Sequence, residues 1–99
     1  MARLTEHSTV VVAEGQTSCD LGDEAVILSL KAGVYYGLNS VASRVWSLVQ
    51  QPALVSSIRD ALVEEYDVDP ERCERDLLLL LRELVAKELI RATADETAT

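Results

Sequence analysis

One histidine, two cysteines and nine bases in 99 residues leave little from which to build a reaction centre. His7 stands alone in a polar N-terminal segment, and Cys19 and Cys73 are far apart with no CxxC partner. No familiar zinc ligand set assembles from these residues. The serines have no well-placed base beside them. Gly15, Gly22, Gly33 and Gly37 form no phosphate loop, because none opens a helix in the required pattern. Paired carboxylates do occur, at Glu64/Glu65 and Asp67/Asp69, but at helix ends and solvated faces. The chain reads as a non-enzyme that carries neither metal nor cofactor.

The scarcity of bases has a second consequence. Seventeen acids against nine bases give a formal net charge of -8. Such a surface repels phosphate, which disfavours nucleic acid and anionic membranes as partners. The first residues lack the apolar core of a secretory signal, and the longest leucine run, Leu77 to Leu81, is far too short to span a bilayer. With widely spaced cysteines read as reduced thiols, the protein is expected in the cytoplasm.

What remains is an ordinary folded domain. Apolar residues make up 48% and charged residues 26%, a balance that supports one core rather than a disordered tail. The length allows one domain. Its expected limits are residues 9–91, with flexible ends at 1–8 and 92–99.

Val10-Val11-Val12 is short and β-branched, a first strand. Residues 14–23 are turn-rich, and their pairing is not legible. Ala25 to Leu30 forms a second strand and Val34 to Leu38 a third. Lys31-Ala32-Gly33 joins these two as a hairpin loop whose glycine takes the left-handed conformation. Asn39-Ser40 caps a helix with Val41, Val45, Leu48 and Val49 at helical spacing and Trp46 as a core anchor. Pro52 limits it. A second helix begins near Pro52 or Ala53, with Val55, Ile58, Leu62 and Tyr66 on one stripe. Asp69 and Pro70 start a third, which runs to Lys87 or Ile90 and is braced by Glu71/Arg75 and Glu83/Lys87 pairs. Strands followed by helices predict an α+β domain, helices packed on one face of a three-stranded antiparallel sheet.

Two features bear on function. In the third helix Cys73, Leu77, Leu80, Leu81 and Leu84 share one stripe, flanked by Leu78, Val85 and Leu89. Five consecutive leucines offer a broad apolar surface. Either the helix is central and all of it is core, or one flank lines an exposed groove; the sequence admits both. The Val34–Leu38 strand is the other feature. At a sheet edge it would carry none of the Lys, Pro or inward charge that usually protects such edges. Its backbone could then pair with an incoming chain, with Tyr35 and Tyr36 beside it. A strand already paired on both sides is the alternative.

Asp23-Glu24-Ala25-Val26-Ile27-Leu28, Val34-Tyr35-Tyr36-Gly37-Leu38-Asn39 and Val45-Trp46 resemble the PqqD-like family. So does Tyr66-Asp67-Val68-Asp69-Pro70-Glu71 followed by a leucine-rich helix. The resemblance covers roughly residues 20–91 and is strongest to free-standing members from lasso-peptide pathways. It implies a winged-helix fold acting as a precursor-peptide recognition element. It implies that the leader of a ribosomally made precursor adds as a strand to Val34, Tyr35, Tyr36, Gly37 and Leu38. Leader side chains would rest in the cleft toward the third helix, against Leu77, Leu80, Leu81 and Leu84 with Leu78 at the flank. Delivery to a separate cysteine protease is implied by the resemblance alone.

Rival readings share these features. A DNA-binding winged helix would insert the third helix into a groove, yet five acids accompany five bases between Glu71 and Arg91. A recognition element serving pyrroloquinoline quinone formation or another radical-enzyme pathway differs only in its partner. An adaptor acting through helix–helix contact has no peptide ligand at all.

Overall fold

The computed structural model describes residues 4–21 and 24–93. Met1 to Arg3, Gly22, Asp23 and the tail from residue 94 lie outside the described residues. The chain is α+β, with antiparallel sheets and three helices.

One sheet is a meander of β2 (Gln16–Leu21), β3 (Glu24–Ser29) and β4 (Val34–Leu38). Alternation along β3 buries Ala25, Ile27 and Ser29 against the core. The β3–β4 turn closes as its glycine dictates. Gly33 has φ +68° and donates to the Ser29 carbonyl at 2.7 Å, while Ala32 donates to Ser29 Oγ at 3.2 Å. Leu30, expected in the strand, belongs to this turn and is exposed. The segment 16–21, whose pairing is not legible in the sequence, lies antiparallel to β3 along its whole length.

The first valine strand does not join that sheet. β1 (Thr9–Val12) pairs instead with β5 (Ala53–Leu54) and β6 (Ile90–Thr93), giving a second sheet in the order β5-β1-β6. Both partners come from stretches that read as helix or tail. The last helix stops early because Glu88 adopts φ +61° and turns the chain, with Leu89 donating back to the Leu84 carbonyl at 3.0 Å. Ile90 then falls in the core, and the strand extends through Thr93.

The helices are α1 (Ser40–Leu48), α2 (Val55–Tyr66) and α3 (Pro70–Ala86). Asn39 caps α1 by accepting from the Ala42 amide at 2.8 Å, and Asp69 caps α3 through the Arg72 amide at 3.0 Å. Neither of these helices depends on distant residues to begin. α2 does. Leu54 offers it no side-chain cap, and its first amides, Val55 and Ser56, donate to the Ser8 and Glu6 carbonyls at 2.9 Å each. Orphan helix amides need acceptors, and here the segment before β1 supplies them. Residues 5–8, which read as a fraying end, are thereby tied down; Ser8 is buried. Arg59 on α2 reinforces this by reaching Glu6 at 3.1 Å and Glu74 of α3 at 2.6 Å. Arg44 and Glu65 join α1 to α2 through a forked ion pair. On α3 the Glu83–Lys87 pair forms at 3.0 Å, whereas Arg72 finds Asp76 at 3.9 Å.

Candidate functional site

β4 is an edge. It pairs with β3 along its full length, and among the described residues nothing pairs with its other side. Its backbone groups on that side are a template for another chain. β2, at the opposite edge, likewise has no second strand partner among the described residues, but it carries Gln16, Thr17, Ser18 and Cys19 and therefore offers little to an apolar ligand.

Register assigns the β4 side chains to two faces. Val34, Tyr36 and Leu38 lie opposite Ser29, Ile27 and Ala25, on the core side; Tyr35 and Gly37 lie opposite Leu28 and Val26, on the outer side. Leu38 closes into the core, Tyr36 is half-buried, and Tyr35 is 70% exposed. Tyr36 also locates the neighbouring wall, because Lys87 Nζ lies 5.7 Å from its ring centroid, within cation–π range. The C-terminal end of α3 therefore stands beside β4.

That contact sorts the leucines of α3. Leu80 precedes Lys87 by seven residues and so shares its stripe to within about 20°, with Glu83 between them. Leu80 is half-buried, and by this spacing it lies on the same side of α3 as Lys87. Leu77, Leu81 and Leu84, expected on the cleft wall, are instead core residues at 3%, 0% and 4% exposure. They belong to the hydrophobic core cluster together with Ile58 and Leu62 of α2. Leu78 lies nine residues from Lys87, about 180° around the helix, and cannot share a cleft with Leu80. Leu79 projects into solvent. Lys87, paired with Glu83 at 3.0 Å, thus also touches β4, a contact that its helix-bracing spacing does not announce.

Other candidates are weaker. A depression of about 530 Å³ lies among Glu14, Lys31, Val85, Glu88 and Arg91, between the β3–β4 turn, the end of α3 and β6. Its rim carries two acids and two bases, with Lys31 paired to Glu88 at 3.1 Å, over a small apolar lining from Ala13, Val85, Ile90 and Ala92. Burial pushes the Cys73 thiol pKa up, with Asp76 adding to the effect, so the thiol is poorly suited to act as a nucleophile. His7 is exposed. Among the described residues no cluster of three or more His, Cys, Asp or Glu could hold a metal, and no helix is long and apolar enough to cross a membrane.

β4 thus presents an open, aromatic sheet edge beside the C-terminal end of α3. The family model described as Coenzyme PQQ synthesis protein D (PqqD) matches residues 24–90, from β3 to the first residue of β6, and the chain belongs to that family. It is also similar to a solved structure, TbiB1 in complex with the TbiA(beta) leader peptide. The identity is 41% and the TM-score 0.78, covering 82% of this chain and 94% of that one. None of the curated proteins matches.

Proposed function

We propose that this protein captures the leader segment of a ribosomally synthesised precursor peptide and holds it for a separate enzyme, without performing chemistry itself. The leader adds as a strand to β4, along Val34 to Leu38. Its side chains of one parity enter the cleft toward Leu80, Glu83 and Lys87. The observation that carries this reading is the one-sided pairing of β4 next to α3. The 41% identity to a protein solved with a leader peptide adds to it. Backbone pairing supplies affinity with little sequence demand, and the cleft supplies selection.

The client enzyme in this reading is a leader-removing cysteine protease of a lasso-peptide pathway, in keeping with the likeness to TbiB1. A second reading, service to a radical-enzyme pathway, draws on the family's description by coenzyme PQQ synthesis. Calorimetric titration with the TbiA(beta) leader peptide tests the common core of both. Saturable one-to-one binding at micromolar or tighter affinity is expected, about -8 kcal/mol; absence of binding would remove the reading. Cleavage of a precursor by the pathway protease, with and without this chain, separates the two clients.

A further inference from the structure

Among the described residues nothing requires Gly37 to be glycine. Its φ lies outside the left-handed region, and a Cβ built there meets no atom within 4 Å. Glycine inside a strand costs stability, and it often marks a place where another molecule comes close. Gly37 sits on the outer face of the edge strand, opposite Val26 and two residues from the exposed Tyr35. Register places Thr17, Cys19, Val26, Leu28, Tyr35 and Gly37 on that face, with Glu24 at its end, so its centre carries no charge across these six positions. In a chain where a quarter of residues are charged, a stretch with an exposed aromatic and no charge has the composition of an interface centre.

An extended peptide alternates its side chains across a sheet. If one parity of a strand added to β4 enters the cleft beside α3, the other parity emerges next to Tyr35 and Gly37. We propose that Gly37 is a specificity-determining residue: the bare backbone there forms a notch that seats a bulky apolar side chain of the bound leader against the Tyr35 ring. The leader is thus read on both faces of the sheet rather than in the cleft alone. This rests on the strand-addition reading, and it narrows the ligand to peptides with bulky apolar residues at neighbouring positions, not only at alternate ones.

The test measures affinity for the TbiA(beta) leader peptide and thermal stability in the wild type, Gly37→Ala, Gly37→Val and Thr17→Val. Valine suits a strand better than glycine, so the melting temperature of Gly37→Val is expected to hold or rise. Its affinity is expected to fall about tenfold, with a smaller loss for Gly37→Ala. Thr17→Val, on the same face but two strands from the rim, keeps wild-type affinity. Alanine substitutions along the peptide are expected to find sensitive positions of both parities. Full affinity in Gly37→Val, or sensitive positions of one parity only, overturns the notch and leaves leader capture standing. A lowered melting temperature for Gly37→Val shows that the glycine serves the fold, and also overturns it. Failure of the wild type to bind removes leader capture itself, and the notch with it.

Discussion

Leu80 and Leu81 are adjacent, identical and set for opposite tasks, so truncating each to alanine separates fold from site. Leu81 is fully buried. Removing its side chain forfeits the transfer energy and leaves a cavity, a loss of about 2–5 kcal/mol. Against a total stability of about 5–15 kcal/mol the domain remains folded in buffer. With a urea slope of about 1.5 kcal/mol per molar, a 3 kcal/mol loss lowers the unfolding midpoint by about 2 M. Leu80 is only half-buried, and its truncation costs about 1 kcal/mol. Leader affinity runs the other way. Leu80→Ala removes part of the wall facing β4 and weakens binding about tenfold, equivalent to about 1.4 kcal/mol. Leu81→Ala, measured where it is fully folded, stays within about twofold of wild type, since distant effects on a preserved cleft are small. Urea titration and calorimetry on the same two variants provide both numbers. A Leu81→Ala protein that is stable but loses the leader, beside a Leu80→Ala protein that keeps it, would show that the wall has been assigned to the wrong stripe.

Deleting residues 1–8 strips the Val55 and Ser56 amides of their acceptors and Arg59 of Glu6. The expected cost is about 2 kcal/mol, with hydrogen exchange accelerated first at those two amides; unchanged protection there would mean another group takes over. Glu65 titrates below the ordinary glutamate value, chiefly because Arg44 donates to its carboxylate. A carboxyl depressed in the folded state contributes stability above its unfolded pKa and loses it as pH falls through the folded one. Glu65→Gln should therefore flatten the acid limb of the stability–pH curve relative to wild type and leave the region above pH 7 parallel. An unaltered acid limb would remove this pair from the balance.

The parts of the fold legible in the sequence are those encoded locally. Gly33 sets the β3–β4 turn, Asn39 and Asp69–Pro70 start their helices, and the strand patterns around them follow. What was hidden is encoded at a distance. β1 finds its partners more than 40 residues away, and nothing in Val10-Val11-Val12 names them. β6 is masked because Glu88 makes the left-handed turn without a glycine to announce it. α2 is capped by carbonyls from before β1, so its own first residues give no start signal. The leucine run is ambiguous for a different reason. Helical periodicity groups Leu77, Leu80, Leu81 and Leu84 on one broad stripe but cannot say which edge of it is covered. Five identical side chains offer no contrast, and the deciding residue, Lys87 over Tyr36, is a charge that periodicity assigns to solvent.

An open edge alone does not make a receptor, since β2 and β6 also have a side with no strand partner among the described residues. Selection comes from what stands beside the edge. β2 is polar, and β6 runs out through Arg91 and Thr93 with α3 already packed against it. Among the described strands, only β4 combines unprotected backbone, aromatic side chains on both faces and a helix end within reach of one of them. The second sheet makes this arrangement sustainable. By pairing β1 and β6 with each other, it satisfies one side of each strand, so that neither is left free to seek another partner there. A sequence change that weakened the β1–β6 pairing would thus release an internal competitor for the rim, and leader affinity would fall with no substitution near the site.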